Sequence, residues 1–361
     1  MNICAVCHEE IKVQFEVNKS IFGLMIFYLR EHIFNDVTSS FSFEMFFLRI
    51  WIGLFIYQQQ YFTFAIVSFN QPRFRINTTW NSNATTFVGI NPHGIFINSN
   101  NSIYITDVNA DQIHIWQNEN DLNPTKTIEG NLSDPFSLFV TTNGDIYVDN
   151  GNNRRVDKWI RENETWISVM NVSSVCSGLF IDIYENLYCS MGDNNRVDKN
   201  WSTIAGTGVV GSQSDMLNNP CGIFVDINLD LYVADSGNNR IQLFRLNQRN
   251  GITVAGKGSA KVTIELNLPS GIVLDGDRHL FIVDSGNHRI IGSDENGFRC
   301  IFGCSGYGQT NDKLTYPRAI SFDSYGNIYV TDFGNNRMQK IFLSKKSDRK
   351  CENCSKKIFS F

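Results

Sequence analysis

Residues 74–343 lack helical patterning. No run there repeats its apolar residues at a spacing of three and four, which excludes an all-α or a doubly wound design. Histidine is scarce: His8, His32, His93, His114, His279 and His288 are the six in 361 residues. A catalytic zinc typically takes three protein ligands, so so few scattered histidines argue against a zinc hydrolase. Neither sign of charge dominates, with 31 Lys and Arg against 36 Asp and Glu and a formal net charge of −5. Nucleic-acid binders usually carry a basic footprint, so RNA and DNA are not the expected partners. An uninterrupted apolar run long enough to cross a membrane is also missing, since Ile50–Tyr57 is too short. No Ser/His/Asp order and no phosphate-binding loop stands out.

What the chain has is repetition. VDNGNNRRV (148–156), MGDNNRV (191–197), VADSGNNRI (233–241), VDSGNHRI (283–290) and TDFGNNRM (331–338) are variants of one phrase, with a weaker copy, TDVNADQI, at 106–113. Aligned on Gln112, Arg154, Arg196, Arg240, Arg289 and Arg337, the copies step by 42, 42, 44, 49 and 48 residues. Five of the seven prolines mark unit starts (Pro92, Pro135, Pro220, Pro269, Pro317), and Cys176 takes that place in the third unit. Two residues later the side chain is always small: Gly94, Ser137, Gly178, Gly222, Gly271, Ala319. A large side chain there would clash where six strands converge on one axis.

Each unit holds four short strand-like runs in about 45 residues, a period that indicates a repeated antiparallel β-unit. The Gly and Asn residues of the shared turn tolerate a left-handed backbone. The Asp before it and the Arg after it can pair across it or reach a neighbouring unit, and a guanidinium offers five donors to loop carbonyls. Asp107, Asp149, Asp235, Asp284, Asp332, Arg154, Arg196, Arg240, Arg289 and Arg337 are therefore read as structural turn residues rather than catalytic ones.

The pattern P-x-G-I…D…(I/L)YV-x-D-x-G-N-N-R resembles the NHL repeat, in six copies over about residues 92–343. The match is strong in units four to six and good in unit two, where Arg155 reads as an insertion. It is degraded in unit three, where Met191 replaces the Asp, and poor in unit one. The resemblance implies an all-β, six-bladed β-propeller. Its last unit stops one strand short, and residues 84–89 (ATTFVG) are the expected closing strand. The organisation read from the chain is a non-propeller N-terminal segment at 1–73, a propeller at 74–343 and a basic tail at 344–361.

The family also implies functions to weigh. Some NHL proteins bind RNA through a basic face, which this composition does not offer. Some carry a RING ubiquitin-ligase domain. CAVCH (4–8) resembles a RING opening, but after His8 the segment ahead of the repeats holds one further histidine, His32, and the next cysteine is Cys176, so a RING cannot be built and only an adaptor role would remain. A third relative is the amidating lyase, which needs axial histidines from several blades. His93 can face the axis, while the matching places hold Phe136, Ser177, Cys221, Ser270 and Arg318. Cys4, Cys7, Cys351 and Cys354 have zinc-ligand spacing and are candidates for a site shared by the two ends.

The stretch 41–69 is apolar. It reads as a signal sequence starting at Met45, as a membrane anchor, or as a buried helix, and the first two lead to the secretory pathway. N-glycosylation sequons at Asn77, Asn83, Asn100, Asn131, Asn163, Asn171 and Asn200, with Asn18 and Asn353 at the ends, agree with export. Cys176 and Cys221 start adjacent inner strands and are one candidate disulfide pair. The function expected is a non-catalytic propeller without a cofactor, binding a protein partner through face loops such as 206–219 and 256–267. An amidating-lyase-like enzyme and a ligase adaptor are the alternatives.

Overall fold

The computed structural model describes residues 68–117, 121, 123–260 and 263–344. The tail, most of the 41–69 stretch and the paired Cys4/Cys7 and Cys351/Cys354 lie outside these residues. Among the described residues no helix is long and apolar enough to cross a membrane.

Among the described residues, twenty-four strands form six four-stranded antiparallel sheets. β1 (Thr85–Val88) precedes the first blade, β2–β5 (Pro92–Ile97, Ile103–Asp107, Gln112–Trp116, Lys126–Ile128). Blade 2 is β6–β9 (Pro135–Val140, Ile146–Asn150, Arg155–Ile160, Thr165–Asn171) and blade 3 is β10–β13 (Cys176–Ile181, Leu187–Met191, Arg196–Lys199, Ser202–Ala205). Blade 4 is β14–β17 (Pro220–Val225, Leu231–Asp235, Arg240–Phe244, Ile252–Gly256). Blade 5 is β18–β21 (Pro269–Leu274, Leu280–Asp284, Arg289–Asp294, Gly297–Phe302). Blade 6 is β22–β24 (Ile320–Phe322, Ile328–Asp332, Arg337–Ile341), and β1 pairs with β24 as its fourth strand, Thr85 opposite Lys340. The all-β six-bladed propeller is thus the architecture of the described chain.

The small residues near each unit start have a local cause. A Cβ on Gly94, Gly178, Gly222 or Gly271 would lie 2.7, 2.8, 2.4 or 2.8 Å from a backbone carbonyl oxygen of the next blade's inner strand. The clash is with the inner strand of the neighbouring blade, where the six inner strands converge. Ser137 fits because its hydroxyl donates to the Cys176 carbonyl at 2.7 Å.

The hairpins between first and second strands rest on a second recurrent acid. Asp182, Asp226, Asp275 and Asp323 each accept two backbone N–H bonds across their turns, as Asp226 does from Asn228 and Asp230 at 2.9 and 3.0 Å. Asn98 plays the same part in blade 1.

The compact unit that contains the ring begins at Ala65. Residues 68–74 cross one end of the axial channel, ahead of the start at 74 read from the repeats. Phe69 bridges Asn98 and meets the rings of Phe139, Phe180 and Phe224 edge-on at 6.2, 5.5 and 5.4 Å. Asn70 donates to the carbonyls of Asn98 and Phe322, and Pro72 accepts from Gly276 of blade 5. Phe74 packs on Trp80, Phe281 and Phe322. This plug carries no repeat signature, so the repeat alone does not show it.

Deleting residues 84–89 should expose the edge of β24 and leave blade 6 with three strands, and an open edge is a template for pairing between chains. Size-exclusion chromatography should show concentration-dependent association, with a lowered melting temperature. A monomer that melts like the parent would contradict this closure.

Candidate functional site

The Asp-x-Gly-Asn-Asn-Arg turns lie on the face where inner strands begin, because Pro220 pairs with Asp235 and Arg240 with Gly256. The same face carries the loops that link blades. In blades 4, 5 and 6 the turn residues clamp the loop that precedes their own blade. Oδ1 of Asp235, Asp284 and Asp332 accepts the N–H of Asn218, Asn267 and Thr315, each at 2.7 Å. Oδ2 accepts from the first Asn (Asn238, Asn287, Asn335) at 2.8–2.9 Å and from the Arg Nε at 2.7–2.8 Å. The Nη groups of Arg240 then reach the carbonyls of Ser212, Gln213 and Met216. Arg337 reaches Gln309, Thr310 and Lys313, and Arg289 reaches Glu265. Burial pushes the Asp235 carboxyl up, against the pull of Asn238, the Asn218 N–H and Arg240.

The last residue before the Arg is left-handed, with φ of 54° at Asn239, 56° at His288 and 50° at Asn336. Its side chain reaches the next blade: Asn239 accepts from the Leu268 N–H at 2.8 Å and His288 Nδ1 from that of Tyr316 at 3.0 Å. His288 thus replaces Asn as an acceptor. Asn195 and Asp111 do the same toward Asn219 and Asp134.

Blade 2 corrects the alignment read from the sequence. Asn150 pairs with Arg155 in the register where Asp235 pairs with Arg240, and Arg154 holds the left-handed place with φ 49°. Arg155 is therefore the motif arginine, and the turn from Asn150 to Arg155 is as long as that from Asp235 to Arg240, with no inserted residue. Neither Arg154 nor Asp149 is part of the clamp. The carboxylate has moved to the following strand, where Asp157 takes Arg155 Nε at 2.9 Å and Asn150 Nδ2 at 2.6 Å. Blade 3 makes the same exchange: Met191 replaces the turn Asp, and Arg196 pairs with Asp198 at 3.1 Å. The signal was a repeated R-V-D-K at 155–158 and 196–199, where blades 4 and 6 carry Gln242 and Gln339. In blade 1, Asp107 caps Asn109 and Ala110, and Gln112 bonds Glu129 instead of a loop carbonyl.

Asp149 is fully buried, at the place held by Thr106, Ser190 and Thr331 in other blades, whose hydroxyls donate to carbonyls of the adjoining inner strand. Its Oδ1 accepts the N–H of Cys176, which is available because Cys176 replaces a proline, and its Oδ2 has no partner. Burial pushes its carboxyl well above the usual range, opposed by the Cys176 N–H and helped by Asp134 and Asp157. A protonated Asp149 can donate as the hydroxyls do.

The channel opens on this same face, in a cavity of about 140 Å³. Its rim is His93, Phe136, Ser177, Cys221, Ser270 and Arg318, and isoleucines and leucines lie below. Burial and the nearby Arg318 hold the His93 imidazole down at about 3, against its bond to the Phe136 carbonyl, so it is neutral near pH 7. Among the described residues no group of three His, Cys, Asp or Glu is arranged to hold a metal. His114 bonds Thr127, and His279 bonds Asp275. Cys176 is bonded to Cys189 of its own blade and not to Cys221, which is a free thiol; Cys300 pairs with Cys304. The seven sequon asparagines from Asn77 to Asn200 are all exposed.

These blades, turns and clamped loops define a six-bladed β-propeller. The NHL repeat family matches at residues 266–292 and 314–341, the fifth and sixth blades. No curated protein matches the sequence. Among solved structures, a streptogramin B lyase is similar at 14% identity over 72% of this chain and 97% of its own, TM-score 0.51. An auxiliary nutrient binding protein from Bacteroides thetaiotaomicron is similar at 16% identity, covering 76% of this chain and 75% of its own, TM-score 0.54. A putative gluconolactonase is similar at 13% identity, covering 75% and 94%, TM-score 0.52. At these identities the likeness is one of fold.

Two outcomes follow, one from the clamp and one from the buried Asp149. Arg240 is 6% exposed. Arg240→Ala should cost about 3–5 kcal/mol, because it strands a buried carboxylate as well as three carbonyls, read as a drop in the denaturation midpoint. Asp149 gives the second. Its folded pKa lies above the usual 3.8, so its contribution is fully present below the unfolded value and lost as pH rises through the folded one. Asp149→Asn should therefore raise the melting temperature at neutral pH, with the gain vanishing toward pH 4. A pH-independent difference would contradict the assignment.

Proposed function

We propose that this chain is a non-catalytic interaction module that docks a protein partner on the motif-turn face, over blades 4 to 6. The observation that carries the reading is the set of long inter-blade loops on that face. They run over 206–219, 257–268 and 303–319, against 129–134 and 172–175 elsewhere. The third long loop is one the sequence reading overlooked. All three are held from beneath by Arg240, Arg289 and Arg337, so they present their outer residues at little ordering cost. Val209, Val210, Leu268, Tyr307 and Tyr316 stand 60, 59, 45, 70 and 51% exposed on them. Aromatic and aliphatic side chains on a rigid base are the usual anchors of protein interfaces.

The axial donor set favours binding over metal-assisted lysis. His93 is the one histidine of the rim, and the cation of Arg318 beside it disfavours a metal there. Support for an exported protein comes from the exposed sequon asparagines and from two disulfides, which persist in oxidising compartments. The sequons among the described residues fall between Asn77 and Asn200, and none lies in 201–344, so glycans on them would leave the proposed docking sector bare.

The test uses full-length protein from eukaryotic cells. Tyr307→Ser with Tyr316→Ser, and separately a shortened 206–219 loop, should keep the parent melting temperature and lose the partner captured by the parent. Arg240→Ala should lose stability first. Retained capture by both loop variants would overturn the docking face, and a mass unchanged by glycosidase would overturn export.

A further inference from the structure

The rim of the axial cavity holds one cation and no anion. Arg318 Nε is buried without a hydrogen-bond partner, and among the described residues no carboxylate lies within ion-pair distance of its guanidinium. The Phe333 ring lies 5.2 Å from the guanidinium carbon. The other five rim side chains are neutral. The nearest that titrates toward charge, His93, is held uncharged by burial and by Arg318 itself. The Cys221 thiol is pushed up by burial, against the pull of Arg318. Ser270 has spent its hydroxyl on the carbonyls of Pro317 and Arg318.

The cavity is also blind. Phe69 closes the far end of the channel against Phe139, Phe180 and Phe224. The floor is the ring of Ile95, Leu138, Leu179, Ile223, Ile272 and Ile320. An unpaired guanidinium above an apolar, water-poor floor interacts with a counter-charge far more strongly than a surface arginine does. Its planar fork matches an oxyanion by two parallel hydrogen bonds.

We propose that this blind axial pit is a carboxylate-binding site, with Arg318, backed by the Phe333 ring, taking the carboxylate and Phe136 flanking its hydrocarbon part. Two details narrow the ligand. The cavity, about 140 Å³, admits a small acid or an acidic side chain and not a nucleotide. His93 Nδ1 lies 3.1 Å from the Phe136 carbonyl, so that nitrogen carries the proton and Nε2 is an acceptor. A carboxylate with a neighbouring hydroxyl or N–H donor therefore suits the rim better than a plain one. The site rests on the axial geometry and stands or falls apart from the partner on the loops.

The experiment is calorimetric titration of the full chain, at low ionic strength, with isobutyrate, 2-hydroxyisobutyrate, N-acetylaspartamide and the neutral isobutyramide. The acids should bind at least about tenfold more tightly than isobutyramide, with the hydroxy acid above the plain one. Arg318→Gln should remove that preference, and Arg318→Lys should keep part of it. Ser177→Asp, which supplies an internal carboxylate to the same rim, should abolish uptake while keeping the parent melting temperature; it serves if Arg318→Gln does not fold. Binding of N-acetylaspartamide would place the carboxylate on a peptide, and binding of the free acids alone would make it a small metabolite. Equal affinity for acid and amide, no heat with any acid, or undiminished acid binding in both Arg318→Gln and Ser177→Asp would overturn the proposal.

Discussion

A buried aspartate that must not be left alone organises this propeller. Asp235, Asp284 and Asp332 are each fully buried. A carboxylate out of water is costly unless it is paired and hydrogen-bonded. The turn answers with an amide, a guanidinium and a backbone N–H. The arginine, once held at its Nε, has its remaining donors aimed at carbonyls of the preceding loop. The left-handed residue beside it hands one more bond to the next blade. A single six-residue turn thus fixes its own hairpin, the loop before it and the junction after it.

That chain of dependence explains why the motif is uneven. Full clamps occur in blades 4 to 6, where the preceding loops are long and have carbonyls to satisfy. Before blades 2 and 3 the loops are 129–134 and 172–175, and the fork has little to hold. There the carboxylate sits on the third strand as Asp157 or Asp198, neutralising Arg155 or Arg196 without reaching into a loop. What reads as decay of a repeat is a different partner for the same charge.

Much of this was legible in the chain because each blade repeats the same local problem. The proline starts, the Gly at 94, 178, 222 and 271, and the Asn-Asn-Arg turns all report backbone constraints that recur, so period and blade count emerge together. Features that occur once were harder to read. Asp149 and Arg154 were misaligned by one place, because Asn150 looks like the first turn Asn and Asp149 looks like the motif Asp; strand register separates them, as does the distance from the unit start, 20 residues from Pro135 to Arg155 and from Pro220 to Arg240. Phe69 closes the channel through tertiary packing and has no copy elsewhere. Arg318 could be placed at the axis from its position after Pro317, but its lack of a counter-ion depends on what five other blades put beside it.

The pairing of Thr85 with Lys340 has a temporal side. Blades 1 to 5 each take four strands that are consecutive in sequence, so each is complete once its own segment has left the ribosome. Domains and units form in the order of synthesis where contacts are local. Blade 6 breaks this rule, since one of its strands is made before the first blade and the other three after the fifth. β1 must wait through the synthesis of the whole ring for its partner, and joining it means closing a loop of most of the domain, the slow kind of contact. During that interval the nascent propeller is an open arc, and its last step is the meeting of its oldest strand with its newest.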